Sequence, residues 1–170
     1  MTDPDRGPGR TRYPTGLVVG RFDPPHRGHS FMIGWAAERC DRLVVYVNSS
    51  PERDAVPGGL RAEWLDALHP DVSVRPVWHR LRTDFDDEDL WQRWLALFRE
   101  AWPHDEGPHA VFSSDPYVTE LATRLDATPV VVDADRTTVP VSATMIRERP
   151  GEHLDLLAPV VREWVEANWL

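Results

Sequence analysis

The chain has 170 residues, 41% of them hydrophobic and 28% charged, which is typical of one globular domain with its own core. Its formal net charge of -9 argues against a nucleic-acid partner, and no apolar run reaches the roughly 18 residues of a membrane-spanning helix. The single cysteine, Cys40, excludes an intramolecular disulfide and is expected to be a small buried side chain. We expect a cytoplasmic domain over residues 15–170 behind a flexible tail over residues 1–14. The oligomeric state stays open, a homo-oligomer included.

All 19 basic residues are arginine, and the chain contains no lysine. This excludes a P-loop of the Walker type, whose lysine reaches the phosphates, and it excludes Schiff-base chemistry. Any basic side chain that holds a phosphate must therefore be arginine or histidine. Arginine suits this role because its planar fork makes paired hydrogen bonds to phosphate oxygens.

Strands and helices alternate along the chain. Short apolar segments predict five buried β-strands, at residues 16–20, 43–47, 72–78, 110–113 and 129–132. Periodic segments predict helices at residues 29–39, 59–68, 87–102 and 116–125, and from 154 to the end. The acidic residues 84–89 are interpreted as a helix start rather than a metal site. This order predicts an α/β, Rossmann-like, doubly wound parallel sheet with helices on both faces, in a single domain.

The segment that follows the first predicted strand contains two histidines around a glycine. Gly20 is expected to allow a sharp turn, and Gly28 to allow the backbone to approach a ligand closely. The helix predicted to begin near His29 would point N–H groups and its positive dipole end into this turn, which favours an anion. His26 and His29 could both donate hydrogen bonds to phosphate oxygens. The segment therefore predicts a phosphate site at the carboxyl end of the first strand.

The segment after the last predicted strand offers a second group of anion-binding residues. Ser142 and Thr144 are candidate N-caps of a short helix that carries Arg147 one turn further on. A hydroxyl, backbone N–H groups and a guanidinium could thus converge on one anion. In the fourth predicted helix, Ser114 and Asp115 are candidate caps.

Two motifs together resemble a known superfamily. Gly20-Arg21-Phe22-x-Pro24-x-His26-x-Gly28-His29 and Ser142-x-Thr144-x-x-Arg147 resemble the two signatures of nucleotidyltransferases, the first in the form found in nicotinamide mononucleotide (NMN) adenylyltransferases. The segments 113–117, 120–122 and 132–137 are similar to the adenylyltransferase domain of bifunctional nicotinamide-nucleotide adenylyltransferase/ribosylnicotinamide kinase proteins. The resemblance covers about residues 15 to 165. In those proteins a P-loop kinase domain follows near the point where this chain stops.

The resemblance implies an adenylyl transfer in which the phosphate of NMN attacks the α-phosphorus of ATP, giving NAD and pyrophosphate. It implies three catalytic residues, namely His26, His29 and Arg147, with His29 at the transition state. It implies an ATP site formed by Gly20, Arg21, Phe22, Gly28, Asp133, Arg136, Ser142 and Thr144. It also implies an acceptor site that contains Trp91, Ser114 and Asp115. Mg²⁺ is expected to be coordinated by the triphosphate of ATP, with no metal ligand from the protein.

Several alternatives stay open at this point. Trp91 fits either a core position or an aromatic contact to the nicotinamide ring, and Arg53 and Arg61 fit either an acceptor contact or solvated surface. Ala143 stands where the family usually has glycine, so a positive φ there would strain the loop. The acceptor could be nicotinic acid mononucleotide or another phosphorylated molecule. A catalytically idle nucleotide sensor is the alternative from a different functional class.

Overall fold

The computed structural model describes residues 12–133 and 137–170. These residues form five β-strands: β1 (Tyr13–Gly20), β2 (Cys40–Ser49), β3 (Ser73–Trp78), β4 (Ala110–Ser113) and β5 (Thr128–Val131). They also form six α-helices: α1 (Arg27–Ala37), α2 (Gly58–Leu68), α3 (Glu88–Ala101), α4 (Val118–Arg124), α5 (Ala143–Glu148) and α6 (Pro159–Trp169). Within this part of the chain, no helix combines the length and the apolar character needed to span a membrane.

The five strands form one parallel sheet in the order β3-β2-β1-β4-β5. The chain builds outward from β1 to β3, then returns to place β4 on the other side of β1. In the register of these central strands, Val18 of β1 pairs with Val45 of β2 and with Phe112 of β4. Ligands in such sheets bind where the strand order reverses, at the carboxyl ends of the strands. Here that point lies between β1 and β4.

Helices cover both faces of the sheet because the strand residues alternate between two apolar clusters. On one face, Val18 and Val45 pack with Ile33 of α1 and Leu65 of α2. On the other face, the neighbouring strand residues pack with α3 and α4, in a cluster formed by Leu17, Val19, Val44, Tyr46, Trp91, Leu95, Phe98 and Leu121. A third cluster joins α2, α5 and α6. The predicted Rossmann-like sheet with helices on both faces is confirmed.

Several predicted boundaries are wrong. β1 begins at Tyr13, so Tyr13 and Pro14 belong to the sheet and not to the predicted tail, while residues 1–11 lie outside the described residues. The last helix begins at Pro159 rather than at 154, because a proline disfavours helical backbone in the residue before it. Two 3-10 turns, Pro150–Glu152 and Leu154–Leu156, occupy the segment before it.

The predicted caps of α4 are also wrong. This helix begins at Val118, and no side chain caps it. The Ser114 hydroxyl instead donates a hydrogen bond of 2.6 Å to the backbone carbonyl of Val132, next to β5. The hydroxyl therefore links the ends of β4 and β5 rather than the start of a helix.

Candidate active site

A cavity of about 450 Å³ lies at the carboxyl ends of β1 and β4, the place that the sheet topology favours. Its volume is in the range of small-molecule sites. Every site residue predicted from the sequence lines this cavity, except Arg136, which lies outside the described residues. The sheet thus brings together the first signature, the second signature and the proposed acceptor residues.

His26 is the N-cap of α1, so the helix begins at Arg27, two residues before the predicted start. Its Nδ1 accepts hydrogen bonds from the backbone N–H groups of Gly28 at 3.0 Å and His29 at 3.3 Å. These N–H groups are therefore bonded within the protein. The expectation that they point into the turn for an anion is wrong, because the imidazole of His26 already satisfies them.

His29 completes this cap from the other side. Its Nδ1 accepts from the backbone N–H of His26 at 3.2 Å, and the two imidazole rings stack with centroids 3.6 Å apart. An Nδ1 that accepts from an N–H group carries no proton, so each neutral ring carries its proton on Nε2. Both side chains line the cavity. The Nε2–H group is therefore the donor of each ring, and it is buried in His26, whereas the His29 side chain is partly exposed.

Packing within the protein requires glycine at position 28. A Cβ at this position would lie 2.9 Å from Cε1 and 3.0 Å from Nδ1 of the His26 ring. Gly28 also lines the cavity, so its expected role in a close approach of the backbone to a ligand stays a prediction. A larger residue would displace His26 from the N-cap position.

The sharp turn after β1 is made by Phe22 and not by Gly20. Phe22 has a φ of 52°, in the left-handed region, whereas the only described glycine with a positive φ is Gly107. Its side chain is buried, and its ring meets the ring of His29 edge to face, with centroids 4.8 Å apart. A left-handed bulky residue costs about 1 kcal/mol, which the burial of the aromatic ring offsets.

Arg147 joins the second signature to the first. Its Nη1 donates a hydrogen bond of 2.7 Å to the backbone carbonyl of Asp23, and its Nη2 donates to the hydroxyl of Thr144 at 3.2 Å. The predicted short helix is confirmed as α5, with Ser142 as N-cap, since the Ser142 hydroxyl accepts from the backbone N–H of Met145. Ala143 is the first residue of this helix and has no positive φ, so alanine causes no strain there.

A buried ion network supports the turn after β1. Arg61 is fully buried and donates to the backbone carbonyls of Val56 and Arg21 and to the carboxylate of Asp54. Burial lowers the pKa of Arg61, while Asp54 and Asp23 act to raise it. The Asp23 carboxylate accepts from the backbone N–H groups of residues 55 and 56 at 2.8 Å each. Both open interpretations of Arg61, acceptor contact or solvated surface, are wrong because it holds loops together inside the protein.

Arg21 is the basic member of this network that lines the cavity. Its side chain is half exposed and lies 3.6 Å from the Asp23 carboxylate and 3.7 Å from that of Asp54. Neither distance is that of a direct hydrogen bond, and Nη2 of Arg21 donates instead to the backbone carbonyl of Arg53 at 3.3 Å. The other N–H groups of the guanidinium are the ones that could donate to a ligand. Arg53, by contrast, is exposed and does not line the cavity.

Trp91 occupies the predicted core position and also lines the cavity, so its contact with a nicotinamide ring stays a prediction. Its side chain is buried in the apolar cluster with α4. Its indole N–H donates to the backbone carbonyl of Phe85 at 3.0 Å. Trp94, one helical turn on, donates in the same way to the carbonyl of Arg82 at 3.1 Å. Two tryptophans of α3 therefore hold the loop between β3 and α3 in place.

Aromatic residues that the sequence did not assign to the site line the cavity beside Trp91. The rings of Phe85 and Tyr117 stack with centroids 6.1 Å apart, and the Phe85 ring lies 5.8 Å from that of Trp91. The Tyr117 hydroxyl donates to the backbone carbonyl of Val19, and burial raises the pKa of Tyr117 to about 12. The spacing of apolar residues over 87–102 predicts a buried helix face that includes Trp94 and Phe98, and both also line the cavity. Helical spacing cannot distinguish the core from the wall of a cavity.

Asp133 supports the loop before the second signature. Its carboxylate accepts from the backbone N–H and hydroxyl of Thr137 and from the backbone N–H of Thr138. Burial acts to raise the pKa of Asp133, but these hydrogen bonds outweigh it and the pKa lies below its usual value. The side chain lines the cavity, and its bonds to the loop suit a supporting role as much as a ligand contact. Among the described residues, no group of three or more His, Cys, Asp or Glu side chains could hold a metal ion.

Comparison with known proteins agrees with this site. The cytidylyltransferase-like family model matches residues 17–149, from β1 through Arg147 to the end of α5. The chain belongs to the cytidylyltransferase-like family. The matched segment contains both signatures and every predicted site residue. The segment that matches the family model thus includes the residues that line the cavity as well as residues of all five strands.

Similar proteins confirm the resemblance to NMN adenylyltransferases. The nicotinamide-nucleotide adenylyltransferase of Saccharolobus solfataricus is 49% identical over 112 residues, which are 62% of this chain and 62% of that enzyme. The trifunctional NAD biosynthesis/regulator protein NadR of Salmonella typhimurium is 26% identical over 165 residues, covering 86% of this chain and 39% of that protein. The match therefore spans less than two-thirds of either relative.

A solved structure confirms the fold. The crystal structure of NadR protein in complex with NAD and AMP-PNP superposes with a TM-score of 0.60 at 23% identity. The superposition covers 84% of this chain and 44% of that one. At 23% identity, this similarity shows that the two proteins share the arrangement of sheet and helices.

Proposed function

We propose that this chain transfers the adenylyl group of ATP to NMN, forming NAD and pyrophosphate. The observation that carries the proposal is the hydrogen bond from Arg147 to the Asp23 carbonyl, which brings both signatures into one cavity. The similarity to the nicotinamide-nucleotide adenylyltransferase of Saccharolobus solfataricus supports the same reaction. The acceptor phosphate is already a nucleophile, so the protein needs to align the reactants and neutralise charge.

The transfer is a direct displacement and needs no covalent enzyme intermediate. An oxygen of the NMN phosphate forms a bond to the α-phosphorus of ATP while the bond from that phosphorus to the bridging oxygen breaks, and pyrophosphate leaves. The Nε2–H groups of His26 and His29 would donate to phosphate oxygens as charge builds up in the transition state. Arg21 and Arg147 would hold the β- and γ-phosphates, with Ser142 and Thr144 beside them. Mg²⁺ would accompany the triphosphate, as it commonly does through phosphate and water ligands.

The nicotinamide ring would bind against the aromatic wall of Phe85, Trp91 and Tyr117. A cationic pyridinium ring is attracted to an indole face by about 0.5–2 kcal/mol. Asp84 and Asp115 line the same cavity. Among the described residues, the basic side chains that line it come from the end of β1 through α1 and from α5, namely Arg21, His26, His29 and Arg147. A carboxylate on the acceptor ring would meet like charge at the acidic positions, so a carboxamide suits the wall better than a carboxylate. This favours NMN over nicotinic acid mononucleotide.

The proposal is tested by incubating the protein with ATP and Mg²⁺ and a panel of acceptors: NMN, nicotinic acid mononucleotide, nicotinamide riboside and no acceptor. We expect pyrophosphate release and a dinucleotide product with NMN, a lower kcat/KM with the acid, and no product with the riboside, which lacks the phosphate. The His29→Asn variant serves as the matched inactive control. ATP binding without product from any mononucleotide would refute the enzyme and favour the nucleotide sensor.

A further inference from the structure

Arg124, the last residue of α4, covers one face of the Trp91 ring. Its Cζ lies 4.7 Å from the ring centroid, within the range of a cation–π contact. Trp91 lines the cavity, whereas Arg124 is not among the cavity-lining residues. The guanidinium thus contacts the aromatic wall without forming part of it.

Two carboxylates fix the position of this guanidinium. Arg124 makes paired hydrogen bonds to Glu88, at 2.8 and 2.7 Å, and its Nε donates to Glu120 at 2.7 Å. Glu88 is the first residue of α3, so the pair connects the start of that helix to the end of α4. Hydrogen bonds from Arg124 and then Gln92 lower the pKa of Glu88 to about 2, so the pair stays charged near neutral pH.

The orientation of the Trp91 indole is therefore set by the protein before any acceptor binds. Its N–H is bonded to the Phe85 carbonyl, and one ring face is covered by Arg124. The two carboxylates outweigh the single positive charge of Arg124, giving Glu88, Arg124 and Glu120 a formal sum of -1. This group consequently does not repel a cationic ring that binds to the indole.

We propose that Arg124 is a positioning residue that holds the Trp91 indole as a rigid wall for the ring of the acceptor mononucleotide. The inference rests on the proposed function, since only there does Trp91 contact the acceptor. It assigns Arg124 no contact with ATP. Loss of the guanidinium should therefore weaken the acceptor site and leave the ATP site unchanged.

The test compares Arg124→Met, which keeps side-chain length without charge, with Arg124→Lys, which keeps the cation. Arg162→Met is the matched control, because Arg162 makes the same kind of exposed pair with Glu166 on α6, outside the cavity lining. Protein labelled with 5-fluorotryptophan reports on Trp91 by fluorine NMR, with its resonance assigned through Trp91→Phe. Steady-state kinetics then give KM separately for NMN and ATP.

We expect Arg124→Met to shift the Trp91 resonance and to raise KM for NMN about threefold to tenfold, with KM for ATP within about twofold of wild type. Arg124→Lys should partly restore both values, and Arg162→Met should change neither. An unmoved resonance, an unchanged KM for NMN, or an equal rise in both KM values would overturn the proposal. If wild-type protein forms no product with any acceptor, the proposed function fails, while the resonance still decides whether Arg124 holds Trp91.

Discussion

The guanidinium of Arg147 donates a hydrogen bond of 2.7 Å to the backbone carbonyl of Asp23, 124 positions earlier in the chain. This contact closes the cavity between α5 and the turn after β1. Because only one Nη atom is used for Asp23 and the other meets Thr144, the guanidinium is oriented by its own protein before ATP binds. An arginine oriented in this way loses little side-chain entropy when it holds a phosphate.

Replacement of Arg147 should therefore reduce activity more than stability. We expect Arg147→Met to lower kcat/KM for ATP about a hundredfold or more, and Arg147→Lys to lower it less, because lysine keeps the charge but not the fork. Pyrophosphate release measures the activity, and urea denaturation measures the free energy of unfolding. Full activity in Arg147→Met, with reduced stability, would mean that the residue only joins the two loops.

Substitution can distinguish the capping role of Nδ1 from the phosphate-donor role proposed for Nε2 in these histidines. Asparagine places an acceptor near the Nδ1 position and has nothing at Nε2, so His29→Asn should keep the cap and lose the phosphate donor. We expect its turnover to fall about a hundredfold or more with little change in melting temperature. His26→Ala should lose the cap as well, at a cost of about 1 kcal/mol in unfolding free energy. Wild-type turnover in His29→Asn would exclude Nε2 from catalysis.

Gly28 and Gly34 on α1 form a matched pair for substitution by alanine. A Cβ at Gly28 would meet the His26 ring at 2.9 Å, whereas a Cβ at Gly34 would meet nothing within 4 Å. Gly28→Ala should therefore reduce both stability and turnover by displacing His26. Gly34→Ala should stabilise the protein by up to about 1 kcal/mol, the helix preference for alanine. Thermal melting and product formation measure the two effects, and an active, stable Gly28→Ala would contradict the packing argument.

Arg61 should be needed for folding rather than for ligand binding. Arg61→Met removes the buried cation that is hydrogen-bonded to Asp54, and only the half-exposed Arg21 stays near the two carboxylates. Breaking a buried pair from one side costs about 3–5 kcal/mol. The exposed Arg53 provides the control, since Arg53→Met should change stability by less than about 0.5 kcal/mol. Urea denaturation compares the two variants. A stable Arg61→Met with impaired binding would point to a direct ligand contact instead.

Cys40 should be unreactive while the protein is folded. Its thiol is buried between strand and helix residues, and burial raises its pKa from the usual 9.0 to about 12. Because the folded state keeps the thiol neutral, this contribution to stability is complete below pH 9 and is lost as the pH rises toward 12. A thiol reagent at pH 8 should label the protein only after unfolding. Rapid labelling of the native protein would contradict the buried position, and Cys40→Ala controls for labelling elsewhere.

The sequence by itself determined the parts of this protein that depend on local spacing. Apolar runs and helical periodicity predicted all five strands and the buried face of α3, and the order of elements predicted the parallel sheet. The two signatures predicted a phosphate site at the end of β1, and their residues do line one cavity. These features follow from neighbours in the chain, because burial on one face of a strand or helix repeats at a fixed interval.

Only the tertiary structure decided what several of these residues do. Gly28 makes room for the ring of His26, Arg61 is buried between loops, and Arg124 covers the indole of Trp91. The contacts of Arg61 with Arg21 and of Arg124 with Trp91 join residues far apart in sequence, and no periodicity records which distant residues will meet. A charged or aromatic residue therefore has a role set by the partner that packing brings to it. The sequence determines which residues are available to the site, and the packed sheet determines which of them touch.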